Sequence, residues 1–344
     1  MKYTDGEIDY YLSSRMNNFQ RDLYIHLADW KRAQKDNQQG YYRWQKNDLI
    51  FADTMDEYFH IFQPARKTVQ NLQFKKHKFF RHMASSQAAC INLFVPLLQY
   101  PALAANIFRV IKPDLAAIAT EELKNGYQLE FWGKNYISDP RGFLNDHNNA
   151  SGTDADIAIA YRDQENELNL WLIEHKLSEP EFTTCAAASS EGRTVQHCCT
   201  PASDIYQNPS LCYYHSGKSY RYWEITKEAN QLFTPALFAS DIDCPFRKGL
   251  NQLWRNQLLA FAIEKSKTPF NKVFFSVVHH PGNLSLAESI REFKSLTNDT
   301  KKFFTFTSDV IHRAAQDLNA PELKKWVDWY RKVYLWKDWL KNEN

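Results

Sequence analysis

The chain changes texture near its first third. Up to about residue 125, apolar positions recur at helical spacing. Gln20–Gln34, Phe51–Gln63 and Ala88–Tyr100 each show this period with few β-branched runs, and each predicts a helix. Pro113-Asp114 predicts the start of a further helix that runs to Lys124 and stops at Gly126. From Tyr127 the period shortens to two. Tyr127–Trp132 reads as a strand, and the Asn-rich stretch from Pro140 to Gly152 as a loop. In Asp156–Tyr161, Ile157, Ile159 and Tyr161 point one way and Asp156, Ala158 and Ala160 the other. Asp163–Asn166 is a turn signal and Leu168–Leu177 a second, more apolar strand, so the two predict a hairpin. Residues 178–245 have little periodicity. Leu250–Lys265 then predicts a helix and Lys272–His279 a buried strand. Glu322–Leu340 predicts a Trp-rich helix with Trp326, Trp329, Val333, Trp336 and Leu340 on one stripe. Such a stripe docks on the core, with a partner-binding face as the alternative. No internal repeat is present.

The pattern gives an α/β class with a mixed sheet built from the strands near 127, 156, 170 and 274. A helical region over 1–110 would pack on a core over 111–290, which carries an insert at about 178–245. A helical region over 291–344 would follow. Composition agrees: 44% hydrophobic and 24% charged residues describe a globular chain and exclude a disordered one. The net charge of +2 gives no overall attraction to nucleic acid, although a local basic face is compatible with it. The N-terminus lacks an apolar run of signal-peptide length, and stretches such as Ile91–Leu98 are too short to span a bilayer. The expectation is a soluble, cytoplasmic protein with no membrane partner.

The chemistry concentrates on the predicted hairpin. Alternation puts Glu174 and Lys176 on one face with Leu170 and Leu172, and Trp171, Ile173 and Leu177 on the other. An antiparallel hairpin would bring Asp156 beside Glu174. Two carboxylates can hold a hard divalent cation. A neighbouring lysine can orient a water and stabilise charge growing on a phosphate. Glu-x-Lys is common on solvated faces by chance. Here it ends an apolar strand, where ionised groups are costly unless paired or metal-bound.

On these residues the chain resembles a branch of the PD-(D/E)XK nuclease superfamily, which has the restriction-endonuclease-like fold. The resemblance is carried by Thr153-Asp154-Ala155-Asp156-Ile157-Ala158, by Leu172-Ile173-Glu174-His175-Lys176-Leu177-Ser178-Glu179, and by the run from Gln252 to Ala260. Ser85-Ser86-Gln87-Ala88 and Asn92-Leu93-Phe94 add to it, and it spans about 83–290. It implies a mixed central sheet flanked by helices and Mg²⁺- or Mn²⁺-dependent hydrolysis of phosphodiester bonds, chiefly in DNA. Asp156 would be the first metal ligand and Asp154 auxiliary, because the branch often has an uncharged residue at the latter position. Glu174 would be the second ligand, Lys176 the catalytic lysine and Gln252 part of the active-site wall. His175 replaces a frequent aromatic residue and points away, as a packing group. Glu130, on the strand before the hairpin, either adds a carboxylate to the metal site or is a paired edge residue.

Five of the six cysteines, Cys185, Cys198, Cys199, Cys212 and Cys244, fall in the insert, with Cys90 outside it. A long segment without periodicity is uncommon in a compact domain. A structural metal would supply folding free energy there. Four thiolates, with His197 or His215 replacing one, would suit Zn²⁺ or an iron–sulfur cluster. Some relatives in the superfamily hold such a cluster with differently placed cysteines, and no C-x-x-C occurs here. Reduced, unliganded thiols are the alternative. Lys75, Lys76 and Lys78, interleaved with aromatics, and Arg247, Lys248 and Arg255 near the predicted helix are candidate contacts to a phosphate backbone, against the plain alternative of solvated faces. Two rival functions follow: a catalytically silent nucleic-acid-binding or assembly module of the same fold, and a cysteine-metal sensing protein. A homo-oligomer is compatible with the sequence, which leaves cut position and sequence preference open.

Overall fold

The computed structural model describes residues 2–13, 15–34, 39–148, 151–189, 200–238, 243–298, 301–337 and 339. Two small hairpins lie in the N-terminal region: β1 (Lys2–Asp5) with β2 (Ile8–Tyr11), and β3 (Gly40–Tyr42) with β4 (Gln45–Asn47). The central sheet contains β5 (Leu115–Ile118), β6 (Tyr127–Phe131), β7 (Ala155–Asp163), β8 (Leu168–Lys176), β9 (Lys272–His279) and β10 (Phe303–Thr307). Its order is β10-β9-β8-β7-β5, and β6 also pairs with β7. β7 and β8 are antiparallel, whereas β8–β9 and β9–β10 are parallel. The result is the expected α/β architecture of a mixed sheet flanked by helices.

Side-chain alternation divides the core in two. Ile157, Ile159, Tyr161, Trp171 and Ile173 share a cluster with the Ser86–Leu98 helix, on which the C-terminal Lys324–Tyr334 helix lies. Ala158, Ala160, Leu170 and Leu172 face the Asn251–Lys265 helix. β8 is therefore covered on both sides, which explains its nearly continuous apolar run. Trp171 is fully buried, and its indole N–H donates to Ser276 Oγ at 2.7 Å. Truncating such a side chain to Ala costs roughly 3–5 kcal/mol.

The Ser86–Leu98 helix is capped by Ser85, which accepts from the Ala88 N–H, and it is buried from Gln87 to Leu98. With the Pro101–Phe108 helix it forms an apolar pair bent by 116°. Among the described residues no single helix is long and apolar enough to cross a membrane. The C-terminal helix docks on this pair's region, and Trp326 Nε1 donates to Asn92 O at 2.7 Å.

Several elements differ from the sequence expectation. Pro113–Lys124 does not form a helix, because Leu115–Ile118 adds to β7 as an edge strand with an irregular register near Leu115 and Ala117. Gly126, expected as a helix stop, serves the turn into β6. Its φ of +86° favours glycine, and a Cβ there would lie 2.4 Å from Ile118 Cγ2. Phe51–Gln63 folds into turns rather than a helix. Asp56 Oδ1 accepts from the Tyr58 N–H, the kind of local side-chain bond that competes with a helix. The region read as helical after residue 290 supplies β10, whose Phe and Thr residues suit a strand.

The cysteine-bearing insert also departs from expectation. Its described part carries short helices over Ala202–Gln207 and Tyr222–Glu228. It packs through aromatic residues onto the Asn251–Lys265 helix. Phe246 stacks on Trp254 at 4.0 Å, and Trp223 lies 5.2 Å from the same indole. These aromatic contacts tie the described part of the insert to the core.

Candidate active site

The hairpin turn fixes the site. Asp163 Oδ1 accepts from the backbone N–H groups of Glu165 and Glu167, and Asn166 takes a left-handed φ of +64°. The register that follows pairs Ile157 with Ile173 and Ala158 with Leu172. One step further along it, Asp156 stands opposite Glu174. On the other side of β7, Leu129 pairs with Ile157 and Phe131 with Ala155, so Glu130 stands opposite Asp156. Glu130, Asp156 and Glu174 thus make a row of neighbouring positions on three adjacent strands, close enough for Glu130 and Glu174 both to act on Asp156. Like charges placed directly opposite destabilise a sheet, so this row calls for a cation or for protons.

Each member of the row is held. The His175 N–H donates to Asp156 Oδ2 at 2.6 Å. Lys176 Nζ donates to Glu174 Oε1 at 2.8 Å. Gln252 Nε2 donates to the same oxygen at 2.6 Å, and Asn256 Nδ2 to Glu174 Oε2 at 3.1 Å. Gln252 and Asn256 lie one helical turn apart and so face Glu174 together. Gln252 Oε1 accepts from the Thr183 N–H at 3.2 Å. Glu130 accepts from the Gln87 amide, which also donates to Lys75 O at 2.9 Å. The backbone at Glu130 has φ +49°, a left-handed conformation that a residue other than glycine holds only at a cost.

Electrostatics follow from the geometry. Burial pushes the Glu130 carboxyl up to about 8, with Asp154 and Glu174 adding to the shift. Burial and Glu174 likewise raise Asp154. Asp156 is raised well above the carboxylate range by burial, then by Glu174 and Glu130. Burial pulls Lys176 down, but Glu174, Glu179 and Asp156 together outweigh it and hold the ammonium charged. Glu179 Oε2 accepts from the Leu177 and Ser178 N–H groups at 2.9 and 3.0 Å, which fixes it behind the lysine.

Other sequence-predicted residues fall in different places. The His175 ring lies on the opposite face, 3.1 Å from Ser86 Oγ, and burial lowers it to about 3, so it is a packing group. Lys75, Lys76 and Lys78 line an open cleft of about 1760 Å³ that also contains Glu130 and Asp154. Lys76 is paired there with Glu57. Lys248 is exposed, and Arg247 Nη1 lies 3.6 Å from Asp243 Oδ2; neither lines that cleft. Arg255 also stands outside that cleft. It points inward, with Nη1 3.4 Å from Thr153 Oγ1, and it is held charged against burial by Tyr222 and Asp146. Its place on the polar helix face hid the wall that covers that face.

Cys90, Cys185, Cys212 and Cys244 form no disulfide among the described residues. Burial raises Cys212 and Cys244, which favours the neutral thiol. His215 contacts Glu224 Oε1 at 3.0 Å. Cys198, Cys199 and His197 lie outside the described residues. Among the described residues no three His, Cys, Asp or Glu side chains are gathered as ready metal ligands. The sequence reading gave no role to Gln87, Asn256 or Glu179. Asn256 was signalled only by its spacing from Gln252, and Gln87 by its place in the Ser85–Ala88 resemblance.

No curated protein and no solved structure matches the chain significantly. Residues 17–335 match the family described as restriction endonuclease associating with ARP. Spanning nearly the whole chain, that match makes this protein a member of the family, with the mixed, helix-flanked sheet of a restriction-endonuclease-like fold.

Proposed function

We propose that the chain is a PD-(D/E)XK-type nuclease that hydrolyses phosphodiester bonds in DNA with Mg²⁺ or Mn²⁺. The observation that carries this reading is the row of Glu130, Asp156 and Glu174 beside a single charged lysine, Lys176. The donor set fits such an ion. All the candidate ligands are hard carboxylate oxygens. Glu130 and Asp156 are raised first by burial and then by neighbouring carboxylates, and Asn256 Oδ1, next to Glu174, is buried without a hydrogen-bond partner. Asp156 and Glu174 would hold the metal, with Asp154 and Glu130 auxiliary at the cleft. A bound divalent cation supplies Lewis-acid polarisation of the phosphoryl oxygen and a water of lowered pKa.

The protein's own groups do the rest. Lys176 keeps its proton and offers positive charge to the phosphate as the P–O bond breaks. Gln252 and Asn256 fix both oxygens of Glu174, so the carboxylate needs little reorganisation. Ser86 Oγ donates to His175 O at 2.7 Å and accepts from the Leu177 N–H at 3.2 Å, which pins the backbone on either side of Lys176. The cysteines stand outside this reading. Metal analysis of purified protein for zinc, iron and sulfide decides whether they hold a structural ion.

The test compares wild type with Lys176→Ala on linear, circular and single-stranded DNA, with and without Mg²⁺ or Mn²⁺. Removing a preorganised charge of this kind is expected to slow cleavage by about 10²–10³-fold. Equal residual cleavage by both proteins would sink the catalytic assignment. Binding without cleavage in any metal would identify a silent module instead.

A further inference from the structure

We infer that the cleft in front of Glu130 receives a single strand of nucleic acid, with one base stacked on Trp132. This inference deepens the nuclease reading and rests on it. The cleft, at about 1760 Å³, is larger than the roughly 300–1,000 Å³ typical of a small-molecule site. Lys75, Lys78, Lys134 and Arg141 line it and are exposed. Among the described residues, Lys78, Lys134 and Arg141 take part in no ion pair, so their charge is available to a polyanion.

The aromatic platform is fixed to the carboxylates. Trp132 lines the cleft two residues after Glu130. Its indole stacks on His147, with ring centroids 4.1 Å apart and planes 18° from parallel. His147 Nε2 is held 2.8 Å from Thr153 O, immediately before Asp154. Gly152 lets the imidazole approach so closely, because a Cβ there would stand 2.3 Å from His147 Nδ1. Trp132 and His147 are thus anchored through short chain segments to Glu130 and Asp154, two of the three carboxylates that line the cleft, with Asp139 the third. A base stacked on Trp132 would deliver its neighbouring phosphate towards those carboxylates.

The choice of a single strand follows from the contact chemistry. Bases inside a duplex already cover one another's faces, whereas a single strand offers a free face to an aromatic ring. Cations along the walls and one fixed aromatic suit a backbone-tracking, sequence-tolerant grip.

The test measures binding of fluorescein-labelled oligo(dT) and of a duplex of equal length to the full chain. Ca²⁺ neutralises the carboxylates, and a gel confirms that the probes stay intact. The single strand is expected to bind at least about tenfold more tightly than the duplex. Trp132→Ala should lose roughly tenfold or more in affinity for it, and Trp132→Phe should keep most of it. An exposed-site variant, Lys78→Ala with Arg141→Ala, should flatten the salt dependence of binding and covers the case in which Trp132→Ala fails to fold. Equal affinity for the duplex, an unchanged Trp132→Ala, an unchanged salt slope, or no binding of either probe overturns the inference. Failure of the nuclease reading looks different: Lys176→Ala would cleave as wild type does while these binding contrasts persist.

Discussion

Replacing Glu130 with Gln should stabilise the metal-free protein, and more so as pH rises. Glu130 sits half-buried, opposite Asp156 and near Asp154 and Glu174, and its carboxyl is pushed from an ordinary 4.5 to about 8. Between those two values the folded state holds a proton that the unfolded chain has released. Stability therefore falls as pH climbs through this window, the opposite of the usual salt-bridged carboxylate. At 1.36 kcal/mol per pH unit the gap corresponds to roughly 5 kcal/mol as an upper bound. Solvent in the cleft screens a group so placed, which brings the expected contribution to about 2 kcal/mol. The amide is isosteric and its oxygen still accepts from Gln87, so the comparison isolates the charge.

The buried histidines set an opposing slope that must be cancelled. Burial lowers His60 to about 3 and His82 and His280 to about 4. Their folded values lie below their unfolded ones, so they stabilise the fold increasingly as pH rises towards the unfolded value near 6.5. Both proteins share this term, and it drops out of the difference. Urea unfolding in EDTA, from about pH 5 to about pH 9, should show wild type and Glu130→Gln nearly equal at the acid end and about 2 kcal/mol apart at the alkaline end. Mg²⁺ should shrink that gap, because a cation replaces the missing proton. Parallel pH curves for the two proteins would refute the crowded-carboxylate account of the site.

Two further substitutions test how the site is supported. Asn256→Ala removes the donor to Glu174 Oε2 and should slow metal-dependent cleavage at least about tenfold, equivalent to roughly 1.4 kcal/mol, as read from kcat at saturating Mg²⁺. An unchanged kcat would show that Glu174 is oriented without it. Arg255→Met leaves Asp146 and Tyr222 without their cationic neighbour and should destabilise the fold by roughly 3 kcal/mol in urea unfolding, while the salt dependence of DNA binding stays unchanged. Loss of one step in the salt slope with intact stability would return Arg255 to the surface role that its sequence position suggested.

What was legible in the sequence, and what was not, follows from the range of the forces involved. Glu174 and Lys176 could be placed on one face because a strand has a fixed period of two, and the Asp163–Asn166 turn makes the β7–β8 pairing nearly local. The choice between Asp154 and Asp156 was not open to alternation, which puts both on one side. It rested on resemblance; in the structure Asp156 lies within β7, next to the Ile157–Ile173 pair, whereas Asp154 precedes the strand. Glu130 was ambiguous for a different reason. Its strand meets β7 across the long 132–154 connection, and no local pattern specifies that register. The insert misled because its packing relies on a few aromatic residues, Trp223 and Phe246 against Trp254, rather than on a repeating stripe. The residues that local rules handle worst are also the ones that gather at the site. A left-handed φ at a strand glutamate and three carboxylates in a row both oppose folding, and such costs persist only where the surrounding structure enforces them. Here the enforcement comes from Gln87, the His175 N–H, Gln252 and Asn256, one or more donors for each member of the row. Four donors from three separate elements directed at three clustered acids is an arrangement that packing alone does not require, and it is the reason to look for the chemistry at this point of the sheet.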